Sequence, residues 1–215
     1  MHEVEAAAQA EWEARAQSVR RTDEHVAQAW QRHRYMTQKH RSAPTLETER
    51  LRLRAWRKDD REKYFAILQE PAVFRHFGPE PMGMEECWRR LMAAAGGWVL
   101  NGFGGWAVER KDDGKLLGML AVFTGWRDLE PEFGEQPEMG WIFATEAHGK
   151  GLASEACNAA LAWVEANLMP TPIWAIIAPA NTPSIKLAEK LGFEHVHETL
   201  YKGEPTLVLK RPAWG

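Results

Sequence analysis

The stretch HGKGLAS at residues 148–154 joins an apolar run, 138–144, to a segment of helical periodicity that starts near Gly151. Its two glycines allow a sharp turn between strand and helix, and no bulky side chain then shields the first N–H groups of the helix. Such N–H groups bind anions, phosphate above all, because they lie at the positive end of the helix dipole. The spacing matches neither a P-loop nor a dinucleotide-binding fingerprint. By itself this segment, the cradle, indicates an anion site but no particular ligand.

The residues before the cradle predict one strand, two helices and three further strands. Arginine alternates with leucine and alanine at 50–55, which is typical of a half-buried first strand. A helix is predicted over 58–69, and a second one from Met84 is expected to stop near Gly96 and Gly97. An Asp-Gly pair at 113–114 between two apolar runs predicts an antiparallel hairpin.

After the cradle and its helix, a strand, a short helix and a closing hairpin are predicted. The apolar run 172–178 is typical of a buried strand. The helix over 182–191 has Thr182 as its predicted N-cap, Pro183 as its first residue and Gly192 as its stop. This mixture of strands and helices places the chain in the α/β class.

Composition and charge restrict the function classes. Of 215 residues, 45% are hydrophobic and 27% charged, which is the balance of a globular protein. The net charge of -3 gives no attraction to nucleic acid, and no apolar run is long enough to span a membrane or serve as a signal peptide. Cys87 and Cys157 lack metal-ligand spacing, so no metal is expected, and free thiols suit a reducing compartment. We therefore expect a cytoplasmic protein with no nucleic-acid or membrane partner.

The first 43 residues differ in composition from the rest. They contain no glycine, and the first proline is Pro44, which predicts a helical extension over 1–43 before a domain over 44–215. An apolar seam recurs there every three or four residues, interrupted by Asp23: Trp12, Ala16, Val19, Val26 and Trp30. The seam fits a docking arm that would form a homodimer, a helix that lies on its own domain, or an extension before a later start at Met36.

Four segments, in the right order, resemble the GNAT superfamily of acetyl-CoA-dependent N-acetyltransferases, most closely its RimJ/RimL-like branch. The superfamily signature Gln/Arg-x-x-Gly-x-Gly/Ala falls on His148, Gly151 and Ala153. The segments ETERLRLR at 47–54, PEMGW at 137–141, and NTPS with EKLGF at 181–193 resemble three further family motifs. His148 departs from the usual Gln or Arg, which affects a side-chain contact with pyrophosphate but not the backbone cradle. The resemblance covers about 44–211 and excludes the extension.

The resemblance implies a mixed, mostly antiparallel sheet with flanking helices, splayed at its centre between 138–144 and 172–178. The pantetheine of acetyl-CoA would lie in the splay and its pyrophosphate on the cradle. A backbone N–H within 141–143 would donate to the thioester carbonyl. The residues implied to bind acetyl-CoA are Trp141, Ile142, Phe143, His148, Gly149, Lys150, Gly151, Leu152, Ala153, Ser154, Asn181 and Ser184.

Acetyl transfer to an amine requires a group that accepts the ammonium proton and a partner for the departing thiolate. Glu138 is the candidate base, acting directly or through a water; alternatively it positions substrate or pairs with an arginine. Ser184 is the candidate proton donor, or it donates a hydrogen bond to the sulfur or pantetheine. Tyr201 is an alternative acid. His195 and His197 alternate along a strand, so they would share one face, either in the cleft or in solvent.

The sequence says less about the amine substrate that would accept the acetyl group, here called the acceptor. The loop before the Glu138 strand carries Trp126, Arg127, Asp128, Glu130, Glu132 and Glu135, while His76 and Phe77 follow the first helix. An acidic rim would attract a cationic amine, but an ordinary solvated loop has the same composition. The hypothesis is therefore acetyl transfer from acetyl-CoA to a primary amine, on a protein N-terminus or a small molecule. A non-catalytic acyl-CoA-binding regulatory module and a scaffold centred on the extension are the alternatives.

Overall fold

A computed structural model describes residues 40–78 and 80–215. The predicted helical extension therefore lies outside the described residues, except for 40–43, which are irregular. Ala43 directly precedes Pro44, a position that is disfavoured in a helix. His40 contacts the Trp163 ring, with centroids 5.6 Å apart, and Ala43 is buried.

Among the described residues, eight strands form one mixed sheet in the order β1-β2-β3-β4-β5-β6-β8-β7. They are β1 (Leu46–Glu47), β2 (Leu51–Arg54), β3 (Gly105–Arg110), β4 (Leu116–Phe123), β5 (Glu138–Phe143), β6 (Ile173–Ile177), β7 (Glu194–Tyr201) and β8 (Glu204–Arg211). Neighbouring strands are antiparallel except β5 and β6, which are parallel. The predicted α/β, mostly antiparallel architecture is confirmed.

Five α-helices accompany the sheet in the part of the chain that the structure describes. They are α1 (Asp60–Leu68), α2 (Pro71–Phe74), α3 (Met84–Asn101), α4 (Leu152–Asn167) and α5 (Thr182–Lys190), and a 3-10 turn covers Thr145–Ala147. None of these helices is long and apolar enough to cross a membrane. Neither β1 nor α2 was expected from the sequence.

Two predicted helix boundaries are wrong. α3 continues through Gly96 and Gly97 and ends at Asn101, followed by the C-cap Gly102, whose φ is 75°. A Cβ on Gly97 would lie 2.9 Å from the Phe103 carbonyl oxygen, so this glycine permits the returning chain to pack against the helix. For α5 the N-cap is Asn181, because its side chain accepts a hydrogen bond from the backbone two residues beyond Thr182.

The sheet opens between β5 and β6, as expected. Within residues 137–178, all of which the structure describes, the two strands pair in register only at Glu138 and Trp174. The Trp174 amide donates to the Pro137 carbonyl over 2.9 Å at this closed end. Toward their carboxyl ends the strands are unpaired with each other, and this gap, the splay, leads to the cradle.

Candidate active site

The cradle forms the turn between the 3-10 segment after β5 and the amino end of α4. Gly149 and Gly151 have φ values of 70° and 74°, the left-handed region that glycine adopts without steric cost. Gly151 is the N-cap of α4, and the Glu155 amide donates to its carbonyl over 3.0 Å. The amides before Glu155 have no preceding helical turn to accept their hydrogen bonds. The amino end of α4 therefore presents N–H groups beside exposed glycines, as an anion site requires.

The Arg50 side chain hydrogen-bonds both the cradle and the first turn of α4. Its Nη1 donates to the Lys150 carbonyl over 3.0 Å and its Nε donates to the Glu155 carboxylate over 2.7 Å. The same carboxylate accepts from the Thr48 hydroxyl over 2.6 Å. Burial alone would raise the pKa of Glu155, but these bonds hold it below its usual value. The acid in the first turn of α4 is thus neutralised locally and does not repel an anion. No local sequence pattern indicates this contact between residues that lie 100 positions apart.

His148 is exposed, and its Nε2 lies 3.0 Å from the Phe143 carbonyl oxygen at the end of β5. Its ring is therefore held against the strand rather than extended from the cradle. His76, which was expected beside the acceptor substrate, lies near this histidine. The pKa of His76 is lowered by burial and then by the charges of Arg75 and His148.

The backbone of β5 directs two of the implied amides into the splay. The Ala144 amide donates to β4, and the Pro137 carbonyl accepts from β6. Backbone groups alternate in direction along a strand. The N–H groups of Trp141 and Phe143 therefore point toward β6, while the N–H group of Ile142 points toward β4. Of the three residues implied to donate to a thioester, Trp141 and Phe143 have the suitable direction.

Three implied residues meet across the splay. Trp141 donates from Nε1 to the Ser184 hydroxyl over 3.3 Å, which joins β5 to α5. The Asn181 side-chain oxygen accepts from the Ser184 amide over 3.3 Å, as the N-cap of α5. Asn181 and Ser184 are therefore positioned by the helix end.

Glu138 is the first residue of β5 and is 2% exposed. Arg127 donates from Nε and Nη2 to its two carboxylate oxygens. Burial raises the pKa of Glu138, and the hydrogen bonds and charge of Arg127 oppose that rise. The Arg127 guanidinium also lies 5.0 Å from the Tyr201 ring centroid and 5.9 Å from that of Phe123. An arginine that the sequence grouped with an exposed loop is thus part of a buried polar cluster.

The sheet separates these groups into two sets. Glu138 and Trp141 are three residues apart on one strand, so their side chains point to opposite faces. Next to Glu138 on its own face is Gly140, and the Phe123 ring lies 3.5 Å from the position that a Cβ on this glycine would occupy. We call the side bearing Glu138, Arg127 and Tyr201 the acceptor face. Glu138 and Ser184 therefore do not form a contiguous pair, and the splay lies between them.

The two late histidines do not share a face as expected. His195 is opposite Leu209 and His197 opposite Val208, so a bulge at Val196 interrupts the alternation. Both are exposed on the edge strand β7, and His195 Nε2 lies 3.0 Å from the His197 carbonyl oxygen. Such a bulge depends on strand pairing, which the sequence does not show.

Within residues 40–78 and 80–215, no three or more histidine, cysteine or acidic side chains are arranged to hold a metal ion. Cys87 and Cys157 are buried free thiols, and burial raises the pKa of each. Buried, protonated thiols of this kind are poor nucleophiles.

Comparison with known proteins identifies the fold and its chemistry. The family model described as an acetyltransferase (GNAT) domain matches residues 50–194. The uncharacterised N-acetyltransferase YoaA of Bacillus subtilis is 28% identical over 152 residues, which are 70% of this chain and 83% of that protein. YkkB from the same organism is 28% identical over 176 residues, 79% of this chain and 96% of YkkB.

Solved structures of similar proteins indicate the same family. A Bordetella pertussis chain assigned to the GnaT acetyltransferase family has a TM-score of 0.70 and 29% identity, and the match covers 79% of this chain and 99% of that one. An acetyltransferase from Agrobacterium tumefaciens has a TM-score of 0.65 and 26% identity, with coverage of 79% and 94%. A ribosomal-protein-S5-alanine acetyltransferase from Vibrio fischeri, at 22% identity and a TM-score of 0.60, shares the fold, with coverage of 79% and 97%. With the splayed sheet and the cradle, these matches show that the chain belongs to the GNAT family of acetyltransferases.

Proposed function

We propose that this chain transfers an acetyl group from acetyl-CoA to a primary amine, on a protein N-terminus or a small molecule, by direct attack while both substrates are bound. The observation that carries the proposal is the continuity of the splay with the cradle. The gap between β5 and β6 exposes strand-edge amides, and it leads to a helix amino end flanked by two left-handed glycines.

The residues present fit acetyl-CoA in two places. The cradle, His148 to Ser154, offers backbone N–H groups to a pyrophosphate, and Arg50 neutralises the nearby Glu155. The β5 edge offers Trp141 and Phe143 amides to the pantetheine and to the thioester carbonyl, while Asn181 and Ser184 border the opposite wall. Acetyl-CoA supplies the activated acetyl group as a thioester. His148 takes no part in pyrophosphate contact in this proposal, because its ring is held by Phe143.

Glu138 is proposed as the group that accepts the ammonium proton, through a water. A carboxylate has about four acceptor positions, so a bidentate arginine leaves positions for a water. Burial raises its pKa against the opposing effect of Arg127, and a raised pKa strengthens a carboxylate as a proton acceptor. Arg127 then acts as a positioning residue that fixes the carboxylate.

Ser184 is proposed to hydrogen-bond the departing thiolate from the other side of the splay. Its hydroxyl accepts from Trp141, which leaves its own proton available for donation. Tyr201 lies with Arg127 on the acceptor face and is the alternative acid.

The acceptor class and assembly complete the proposal. The cradle and the NTPS and EKLGF segments resemble the RimJ/RimL-like branch, whose members are associated with protein N-terminal amines. We assign the chain to that branch on this resemblance, together with a cytoplasmic location and a homodimer formed through the extension.

A calorimetric titration with acetyl-CoA, followed by a thiol-release screen in the same preparation, tests the proposal. The screen covers N-terminal peptides, polyamines, amino acids and aminoglycosides. We expect a stoichiometry of about one acetyl-CoA per chain and thiol release that depends on an added amine. Binding without release from any amine would favour the non-catalytic acyl-CoA-binding module, and absence of binding would overturn the acetyl-CoA assignment.

A further inference from the structure

Trp126 has a backbone conformation that its side chain disfavours. It lies between Gly125 and Arg127 in the loop after β4, and its φ is 44°. Bulky L-residues rarely adopt this left-handed region because the Cβ approaches the following carbonyl. Lys202 also has a positive φ, of 54°, but it lies in the tight turn between β7 and β8, where turn geometry requires one.

Packing does not compensate for the strain at Trp126. Trp126 is 67% exposed, although a tryptophan is highly buried on average. Its two neighbours, in contrast, are fixed around the Glu138 carboxylate. A Cβ on Gly125 would lie 2.5 Å from Glu138 Oε2, and Arg127 is ion-paired with the same group. The turn that encloses Glu138 therefore holds an indole exposed to solvent beside it.

We propose that Trp126 is a specificity-determining residue that contacts the acceptor amine on its way to Glu138. This inference rests on the proposed function. Strained residues concentrate at ligand sites, and an indole face attracts an alkylammonium group by a cation–π interaction while covering its methylene groups. Asp128 and Glu130, exposed on the same loop, add negative potential. Arg127 does not oppose this attraction, because its charge is paired with Glu138.

The first readout is acceptor kinetics with the amine that the wild-type protein acetylates fastest. Trp126→Ala should raise its KM about tenfold, the size of a partly desolvated cation–π contact, and leave kcat within about twofold. Trp126→Phe should restore most of the loss, and the Kd for acetyl-CoA should stay unchanged in both. Leu100→Ala is the matched control, because Leu100 is an apolar side chain 79% exposed on α3.

The second readout is thermal stability. Asparagine tolerates the left-handed region, so Trp126→Asn should raise Tm by about 2 °C while it raises the acceptor KM as Trp126→Ala does. A KM for Trp126→Ala within about twofold of wild type would overturn the inference. A lowered Tm for Trp126→Asn would also overturn it, since the indole would then be stabilising the fold. Absence of acetyl transfer from the wild-type protein to any amine identifies the other failure, that of the proposed function, and removes this inference with it.

Discussion

Two buried pairs of an acid and an arginine differ in their electrostatics. At the start of α1, Asp60 accepts from Arg54 over 2.7 and 2.9 Å and from the Arg57 amide over 2.9 Å. Burial alone would raise the pKa of Asp60, yet these hydrogen bonds hold it below its usual value. Glu138 is also buried and is paired with Arg127, but there burial prevails and its pKa is raised.

The difference separates a structural cluster from the one to which we assign the chemistry, the chemical cluster. Arg54 also donates to Glu109 over 2.7 Å, so its cluster joins β2, β3 and α1 inside the fold. Glu138 lies at the closed end of the splay, where it is in register with Trp174 of β6. A buried carboxyl group with a raised pKa suits the role of proton acceptor that we propose for it.

The two acids should also give opposite pH dependence of stability. Asp60 has a lowered folded-state pKa, so its contribution is present above about 3.8 and is lost as pH falls through the folded value. Glu138 has a raised folded-state pKa, so its ionisation costs stability as pH rises from 4.5 through the folded value.

The largest expected effect is on stability, at the structural cluster. Arg54→Met should lower the free energy of unfolding by about 3–5 kcal/mol, because it leaves Asp60 and Glu109 buried without their cation. Urea unfolding measures the loss. Arg52→Met is the control on the same strand: its side chain is 44% exposed, so the loss should stay below about 1 kcal/mol. Equal losses in the two variants would contradict the distinction.

Next in size is the expected effect on turnover at the chemical cluster. Glu138→Gln keeps the shape of the side chain but removes the proton acceptor, so kcat should fall about 100-fold while the Kd for acetyl-CoA stays within about twofold. Steady-state thiol release and calorimetry measure the two quantities. Asp60→Asn should show the reverse: lower stability, with kcat per folded molecule near wild type. A fully active Glu138→Gln protein would exclude Glu138 as the base.

A smaller effect is expected at the cradle. Gly151→Val places a β-branched side chain at a φ of 74° beside the α4 amides, so the Kd for acetyl-CoA should rise about tenfold. Gly114→Val is matched for backbone strain, with a φ of 69° in the β3–β4 turn and open space around its Cβ position. It should leave the affinity unchanged, and equal affinities in the two variants would remove the cradle from the account.

The smallest effect is expected at Ser184. Ser184→Ala removes the hydroxyl that accepts from Trp141, so kcat should fall about two- to fivefold with little change in KM for the amine. Single-turnover acetyl transfer measures it. An unchanged rate would leave Ser184 without a part in thiolate departure.

Local patterns in the sequence predict the elements of the site better than its contacts. The cradle glycines and the start of the NTPS helix follow from turn chemistry, whereas the splay was implied by the family resemblance. The structure contains all three. The contacts of Arg50 with Lys150 and of Arg127 with Glu138 depend on tertiary packing, so neither spacing nor composition revealed them. The bulge at Val196 likewise depends on strand pairing.

The central claim is that this chain is an amine acetyltransferase whose proton acceptor is Glu138. It is tested most directly by the pH dependence of amine-dependent thiol release in the wild-type protein and in Glu138→Gln. The ionisation of the amine affects both profiles equally, so their ratio isolates Glu138. We predict that this ratio rises with pH along a limb whose pKa lies above 4.5. A ratio that is flat and near one, or a wild-type protein that releases no thiol with any amine, would contradict the claim.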